Sequence, residues 1–414
     1  MSQRTLAMLV GGGPAPGLNG VINAVTLAAR ARGWKVLGVP KGFSQLMKGD
    51  VSKVRELTEA DVAGIEVKGG SVLFTSRANP TKKPEDMQNV VATLQKLGVT
   101  DLVTIGGDDT ATSATKVAAA AGGGMRAVHV PKTIDNDLPL PGEAPTFGFE
   151  TAKFWGTALC RNLVVDAQTT GRWYLVTAMG RSAGHLALSM GVGSGSQLVV
   201  IPEEFPSGTI RLDAIADLVE GAIVKRRAQG EDWGLAVLAE GLLDRMDPKE
   251  IATFVQLEYD EHNNPRLSEI DLGRVVRDVL ARRFKERGLD VGWITKIIGY
   301  ELRCADPVAF DVQYTRTLGF GAVEFLATGS GNALISLQNG QLVPIRFEDL
   351  RDPATGKVRI RRVNAEGGVW KAAVALQARL RPEDLEGDRL AKLAKAAKLD
   401  PAAAKERYAA LAKR

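Results

Sequence analysis

Short apolar segments alternate with longer segments of helical periodicity over the first third of the chain. This pattern predicts helices at 17–32 and 86–97, and strands at 6–10, 35–39, 101–105 and 127–130. Strands that alternate with helices favour a parallel sheet with helices on both faces. Ligands bind at the carboxyl ends of the strands in such sheets, and polar clusters follow several of these strands. We therefore expect an α/β fold with a site at that edge of the sheet.

The second half of the chain adds another set of strands, predicted at 173–178, 197–201, 235–239 and 293–298. The polar stretch 244–290, with the turn-like sequence HNNP at 262–265, is interpreted as an insertion or a helical excursion. From Trp370 onward Ala, Lys, Leu and Arg recur at helical period, with a break at 399–401. We interpret this tail as a solvated helical appendage, with an oligomer contact as the alternative.

Length and charge restrict the class of protein. The 414 residues exceed one typical core and suggest two lobes, at about 100–200 residues per domain. The formal net charge is +5, but the basic residues are spread along the chain with few aromatic residues among them, which disfavours nucleic-acid binding. No apolar run approaches the roughly 18–20 residues of a membrane span, and the first apolar run is too short for a signal peptide. We therefore expect neither a nucleic-acid nor a membrane partner.

Cysteine and histidine are rare in this chain. Its two cysteines, Cys160 and Cys304, and its three histidines stand in no metal-binding pattern. This usage fits the reducing cytoplasm and leaves no framework of disulfides. Any chemistry is therefore expected to use carboxylates, lysines, arginines and backbone amides.

The first motif is the glycine-rich segment 10–20, VGGGPAPGLNG, which joins a predicted strand to a predicted helix. Glycines let backbone N–H groups approach an anion, and a helix N-terminus adds partial positive charge. The segment is not a Walker A loop, and Pro16 breaks the GxGxxG pattern. Taken alone it is a weak phosphate signal, and a merely tight turn is the alternative.

The second motif is TIGGDDT at 104–110, directly after a strand. Two glycines followed by two carboxylates suit a place where backbone touches a phosphate while an Asp holds a divalent cation. The alternative is that Asp109 or Thr110 caps the next helix.

The third motif is VPKTIDNDLP at 130–139. A carboxylate here can accept a hydroxyl proton while Lys132 neutralises phosphate charge, as phosphoryl transfer requires. The alternative is a cluster of Asx turns.

These motifs, followed by MGRSAGHLA at 179–187, closely resemble the phosphofructokinase family in their order, and the resemblance spans most of the chain. It implies two Rossmann-like three-layer αβα lobes with the active site in the cleft between them. The donor and metal lobe is expected to comprise 1–140 plus about 301–365. The sugar-phosphate lobe is expected to comprise 141–300 plus about 366–414, with the insertion and the helical tail.

The resemblance also implies roles for individual positions. Asp135 is the expected base for the sugar hydroxyl, with Lys132 and Asp109 as further catalytic residues, and Asp108 is the expected Mg²⁺ ligand. Arg172 matches an arginine that reaches the substrate of a neighbouring subunit. The expected sugar-phosphate residues are Thr133, Asp135, Asp137, Arg172, Met179, Gly180, Arg181, Glu240, Tyr300 and Arg303. The expected donor residues are Gly12, Arg77, Gly106, Gly107 and Lys132.

Two positions bear on the phosphoryl donor. Relatives that use ATP carry Gly where this chain has Asp109, and a carboxylate there repels the α-phosphate of ATP. Lys132 replaces the Gly of bacterial ATP enzymes and supplies charge to the transferred group. Both residues resemble the pyrophosphate-dependent branch of the family. A second interpretation is that Asp109 and Lys132 pair with each other.

The resemblance implies an enzyme, a diphosphate–fructose-6-phosphate 1-phosphotransferase. It would reversibly transfer phosphate from pyrophosphate to the 1-hydroxyl of fructose 6-phosphate, in the cytoplasm, as a homodimer or homotetramer. An ATP-dependent or mixed-donor enzyme is the alternative, and a non-catalytic nucleotide-binding regulatory protein is a remote one. The chain departs from family patterns at Pro14 and at Ile294, for which Lys296 is a candidate substitute.

Overall fold

The computed structural model describes residues 4–256, 258, 269–350, 352–354 and 358–413. The chain forms two compact units, each made of two segments. The first unit comprises Met1–Ala152 and Tyr300–Arg361, and the second comprises Lys153–Gly299 and Arg362–Arg414. The predicted assignment of donor and sugar-phosphate roles to two lobes stays a prediction.

Strands and helices alternate along most of the chain. The strands are β1 Thr5–Val10, β2 Lys35–Val39, β3 Arg55–Glu56, β4 Asp101–Gly106, β5 Arg126–Pro131, β6 Arg172–Ala178, β7 Leu198–Val200, β8 Gly234–Ala239, β9 Gly292–Ile298, β10 Ala333–Gln338 and β11 Gln341–Arg346. The helices are α1 Leu18–Ala31, α2 Pro84–Lys96, α3 Asp108–Ala120, α4 Phe149–Thr170, α5 His185–Ser194, α6 Leu212–Ala228, α7 Pro248–Ala252, α8 Leu272–Glu286, α9 Tyr300–Arg303, α10 Ala309–Ala327, α11 Gly368–Leu376, α12 Gly387–Ala397 and α13 Pro401–Tyr408. All eight predicted strands and both predicted N-terminal helices are confirmed to within two residues at each end.

The first unit contains a seven-stranded sheet in the order β11-β10-β5-β4-β1-β2-β3. Its five central strands run parallel, whereas β3 and β11 pair antiparallel at the two edges. Alternate residues of β1 face opposite sides, as the period of a strand requires. Leu6, Met8 and Val10 pack against α1 and α10, and Ala7 and Leu9 pack against α2 and α3. The unit is therefore a three-layer αβα sandwich.

The second unit contains a four-stranded parallel sheet in the order β7-β8-β6-β9. One face packs against α6 and α8 around Trp173, Leu175 and Leu238. The other face packs against α5, where a Cβ on Gly191 would overlap the side chain of Val199. Only glycine lets α5 approach the sheet this closely. This unit too has helices on both faces of a parallel sheet.

Helix α8 corrects part of the interpretation of the polar stretch 244–290. Seven of its residues, among them Val275, Val276 and Phe284, are buried against β6, β9 and α6. The helix is thus part of the layer that covers the sheet rather than an insertion. The turn-like sequence 262–265 lies outside the described residues.

The interpretation of the C-terminal tail as a solvated appendage is wrong. Helices α12 and α13 bury a cluster with Val224 of α6 that includes Leu393, Ala397 and Tyr408. The predicted break is confirmed, because α12 ends at Ala397 and α13 begins at Pro401. The apolar face is narrow and made largely of alanine, which is why the sequence pattern suggested a solvated helix.

No helix within the described part of the chain combines the length and the apolar character needed to cross a membrane.

Candidate active site

The carboxyl ends of β1, β4 and β5 lie side by side at one edge of the first sheet. Strand β1 leads through α1 to β2 on one side, whereas β4 leads through α3 to β5 on the other side. Connections that diverge in this way open a crevice between two neighbouring strands, and ligands bind there. The N–H of Gly11 donates to the carbonyl oxygen of Ile105 at 2.8 Å, so the loops after β1 and β4 meet at this crevice.

Thr110 explains why glycine is needed in both loops. Its Cγ2 would lie 2.7 Å from a Cβ on Gly11, and its Oγ1 would lie 2.6 Å from a Cβ on Gly106. Gly12 has a φ of 80°, which L side chains rarely adopt. The loop after β1 therefore brings its backbone closer to the neighbouring loop than any larger residue would permit.

The loop 106–108 leads directly into α3. Gly107 is the N-cap of this helix, with Asp108 and Asp109 in its first turn. The alternative that Asp109 or Thr110 caps the helix is wrong. Both carboxylates are exposed beside the partial positive charge of the helix N-terminus, a position that also suits a phosphate.

Lys132 follows β5 and is buried, with 9% of its surface exposed. Its Nζ donates to the carbonyl oxygen of Gly13 at 2.5 Å and would lie 3.6 Å from a Cβ on Gly12. Burial lowers the pKa of Lys132 to about 8, because a charge is costly away from water. No ion pair joins the described residues Lys132 and Asp109, so the interpretation that they pair with each other is wrong.

Four further charged residues act on the ammonium of Lys132. The positive charges of Arg303 and Arg77 lower the pKa of Lys132, and the carboxylates of Asp135 and Asp137 raise it. A Cβ on Gly13 would lie 3.3 Å from Nη1 of Arg303, which places that guanidinium at the loop after β1. The charges of the predicted base Asp135, the predicted donor residue Arg77 and the predicted sugar-phosphate residue Arg303 thus all act on Lys132 at the glycine loop.

The segment 133–137 forms a compact turn. The hydroxyl of Thr133 accepts from the N–H of Asp135 at 3.1 Å and donates to Asp137 at 3.2 Å. This turn is built on the hydroxyl of Thr133 rather than on an Asp or Asn side chain, so it does not confirm the alternative of an Asx-turn cluster. Burial raises the pKa of Asp137 to about 7, and the neighbouring carboxylates of Asp135 and Asp108 add to the rise. The like charges of these carboxylates thus disfavour the ionised form of Asp137.

Two residues that hold the loops were missed by the sequence reasoning. His129 is fully buried, with Nδ1 2.8 Å from Thr104 Oγ1 and Nε2 2.9 Å from the carbonyl oxygen of Gly106. Burial lowers the pKa of His129 to about 3, so its ring is neutral, and Nε2–H donates to Gly106. A histidine inside a predicted buried strand, directly before the third motif, was the sequence signal that could have identified it. The other missed residue is Arg361, which bonds to the turn at 136–137.

The predicted sugar-phosphate residues of the second unit lie mostly at the carboxyl edge of its sheet. Met179 follows β6 and donates from its N–H to the carbonyl oxygen of Ile298 at 3.0 Å. The carboxylate of Glu240, which follows β8, accepts from the N–H of Gly180 at 2.9 Å. Arg181 is exposed beside them. The loop after β6 is thus held by the ends of both neighbouring strands.

Arg172 is the exception in this unit. It is exposed at the first position of β6, and Met179 follows the last position. At about 3.3 Å per residue the two residues lie roughly 23 Å apart, at opposite edges of the sheet. Arg172 is therefore not brought together with the other predicted residues of its own unit.

Tyr300 and Arg303 lie on the short helix α9 of the first unit. The Tyr300 ring is 55% exposed, and the Arg303 guanidinium carbon is 5.3 Å from its centroid. Ile294 and Lys296 alternate with Trp293 on β9, so both face away from the side on which Trp293 packs against Phe284. Lys296 is exposed, as its suggested role as a substitute cation requires.

The family profile described as phosphofructokinase matches residues 5–326. The chain belongs to the phosphofructokinase family. It is 50% identical over 391 residues to the pyrophosphate–fructose 6-phosphate 1-phosphotransferase of Naegleria fowleri, covering 92% of this chain and 90% of that protein. A protein of the same name from Thermotoga maritima is 46% identical over 391 residues. The alignment covers 93% of this chain and 93% of that protein.

Solved structures agree in fold. The pyrophosphate-dependent phosphofructokinase of Marinobacter aquaeolei matches with a TM-score of 0.66 at 16% identity, covering 89% of this chain and 88% of that chain. The phosphofructokinase of Saccharomyces cerevisiae matches with a TM-score of 0.66 at 22% identity. The match covers 83% of this chain and 44% of the yeast chain. The predicted α/β fold with helices on both faces of parallel sheets is confirmed.

Proposed function

We propose that this chain reversibly transfers a phosphoryl group from pyrophosphate to the 1-hydroxyl of fructose 6-phosphate, giving fructose 1,6-bisphosphate and phosphate. The observation that carries the proposal is the placement of Lys132 and Arg303 at the glycine loop of the first unit, with the charge of Asp135 acting on Lys132. Two curated relatives named for this reaction, with more than 90% of the chain aligned, support it.

The charges of the first unit fit this chemistry. Asp135 accepts the proton of the attacking sugar hydroxyl, and Lys132 offsets the negative charge that spreads over the transferred group. The amides of Gly106 and Gly107 and the start of α3 provide N–H donors for the phosphate oxygens. Positioning and electrostatics of this kind account for most of the catalysis of phosphoryl transfer.

The residues also fit a magnesium ion that arrives with the donor. Within the described residues no group of three or more His, Cys, Asp or Glu side chains is placed to hold a metal. Mg²⁺ typically keeps several waters and binds one or two carboxylates plus substrate phosphates, which suits Asp108 at the crevice. When bound, the ion would neutralise charge on the phosphate oxygens. The positive charge of the ion would also lower the raised pKa of Asp137.

Asp109 supports pyrophosphate rather than ATP as the donor. Its exposed carboxylate stands in the first turn of α3 and is not neutralised by Lys132. A fixed negative charge there repels the α-phosphate of ATP, a group that pyrophosphate lacks. Like charges in a partly desolvated site cost several kcal/mol. The remaining roles carried by the resemblance, including that of Arg172 in a neighbouring subunit's site, imply a homodimer or homotetramer, and we propose the cytoplasm as its location.

The test is the initial rate with fructose 6-phosphate and magnesium, with either pyrophosphate or ATP, on the wild type, Asp109→Gly and Asp109→Asn. We expect the wild type to use pyrophosphate alone and Asp109→Gly to gain ATP use. Asp109→Asn separates charge from bulk, because it removes the charge at nearly constant size. A wild type that prefers ATP would overturn the donor assignment and favour the ATP-dependent or mixed-donor alternative.

A non-catalytic regulatory protein is distinguished by Asp135→Ala. For the enzyme we expect the rate to fall by about 10²–10⁴-fold, the usual contribution of a general base. Ligand affinity, measured by calorimetry, should stay within a few-fold of the wild type. A wild type without turnover under either donor would contradict the proposal.

A further inference from the structure

Arg361 donates four hydrogen bonds to the loop that carries the predicted base. Its Nε donates to the carbonyl oxygen of Asn136 at 2.9 Å, and its Nη1 donates to that of Ala144 at 2.8 Å. Its Nη2 donates to the side-chain oxygen of Asn136, and its own N–H donates to the carbonyl oxygen of Asp137 at 2.7 Å. Four donors of one residue thus hold both ends of the loop 136–144.

Asn136 has a φ of 57°, in the left-handed region. Asparagine tolerates this conformation better than most residues other than glycine, but it is still uncommon, and the contacts of Asn136 favour it here. The side-chain oxygen of Asn136 also accepts from the N–H of Thr146 at 3.1 Å. Arg361 and Thr146 therefore bind the same oxygen and fix the one residue that separates Asp135 from Asp137.

We infer that Arg361 is a positioning residue that sets the direction of the Asp135 carboxylate by holding Asn136 in its left-handed conformation. A planar guanidinium presents its N–H groups as a rigid fork, which the flexible ammonium of lysine does not reproduce. A displacement of about 1 Å in a reacting group can cost about 10²-fold in rate. The catalytic consequence rests on the proposed function, whereas the ordering of the loop does not.

The first test measures catalysis in Arg361→Gln, Arg361→Lys and Arg361→Ala, with Arg359→Gln as the matched control. Arg359 is exposed and donates to the carbonyl oxygen of Asp349, away from the loop. We expect kcat to fall about 10²-fold in Arg361→Gln and Arg361→Lys while both KM values stay within about threefold. Millimolar guanidinium should restore part of the rate of Arg361→Ala, and Arg359→Gln should behave as the wild type.

The second test follows hydrogen exchange of the segment 133–146 without any substrate. Exchange in Arg361→Gln should be at least about tenfold faster than in the wild type, because the loop loses its hydrogen bonds. Unchanged exchange would overturn the inference whatever the enzyme does. Faster exchange in a protein whose wild type has no turnover would overturn the proposed function alone.

A third variant covers a failure of Arg361→Gln to fold. Asn136→Ala removes the oxygen on which Arg361 and Thr146 converge and leaves the arginine in place. We expect the same fall in kcat at nearly constant KM. Wild-type kcat in either folded variant, or a loss that appears only as raised KM values, would overturn the positioning role.

Discussion

The ammonium of Lys132 donates a hydrogen bond to the carbonyl oxygen of Gly13, which ties the end of β5 to the loop after β1. The bond spans 119 residues of sequence and lies at the edge where the strands of the first sheet end. A buried cation that is already oriented by backbone costs little reorganisation when an anion arrives. On the proposed function, Lys132 is therefore preorganised for the donor phosphate.

Replacement of Lys132 by Met should remove this charge while keeping most of the volume. We expect kcat/KM for pyrophosphate to fall about 10²–10³-fold, comparable to the loss of one oxyanion-stabilising donor. Lys116→Met is the control, because Lys116 is exposed on α3. Steady-state rates at varied pyrophosphate check this, and equal rates in Lys132→Met and the wild type would contradict the role.

The sequence predicted the strands that carry the site because buried parallel strands are nearly continuous apolar runs. Strand β11 was missed, since Pro344 interrupts it and proline argues against a strand unless it lies at an edge, as it does here. The candidate site residues that follow strands could be predicted for the same reason that the strands could. Arg361 was not, because it contacts Asn136 across 225 residues and no local pattern marks it.

The close approach of the two glycine loops predicts a steric coupling between Gly11 and Thr110. Gly11→Ala should destabilise the first unit by about 1–3 kcal/mol, as overpacking usually does. Thr110→Ala removes Oγ1 and Cγ2, the two atoms nearest the added methyl, and should restore part of the loss in the double variant. Thermal unfolding of the four proteins gives the coupling energy.

The control is Gly368→Ala in α11, where an added Cβ meets nothing within 4 Å. It should leave the midpoint unchanged or raise it slightly, because alanine favours a helix. Equal midpoints in Gly11→Ala and Gly368→Ala would refute the steric argument.

The two cysteines should differ sharply in reactivity. Cys160 is fully buried in α4, and burial raises the pKa of its thiol to about 12. Cys304 is exposed. Since the thiolate is the nucleophile, a thiol reagent should label one cysteine in the native protein and two after denaturation. Cys304→Ser should then give no labelling in the native state, and rapid labelling of Cys160 in that variant would contradict its burial.

The packing of the C-terminal helices predicts a dependence of their stability on pH. Glu220 on α6 is fully buried and accepts from Arg407 and Tyr408 of the tail and from Arg287, which directly follows α8. Burial acts to raise the pKa of Glu220, but the hydrogen bonds and charges of Arg407 and Arg287 prevail and lower it below 4.5. The carboxylate therefore stabilises the docked tail above the unfolded pKa, and this stabilisation is lost as pH falls through the lower, folded pKa.

Native-state hydrogen exchange of 401–408, corrected for the intrinsic effect of pH, measures this stability. We expect protection to fall as pH drops below about 4.5 in the wild type. Glu220→Gln should lose about 3 kcal/mol of local stability at pH 7, because it removes the buried charge that Arg287 and Arg407 contact, and its protection should depend less on pH. Asp213→Asn is the control, since that carboxylate is half-exposed and its pair with Arg283 should contribute at most about 1 kcal/mol. If Glu220→Gln changes the protection of 401–408 no more than Asp213→Asn does, the buried carboxylate does not hold the tail, and the apolar face of α12 and α13 alone docks it.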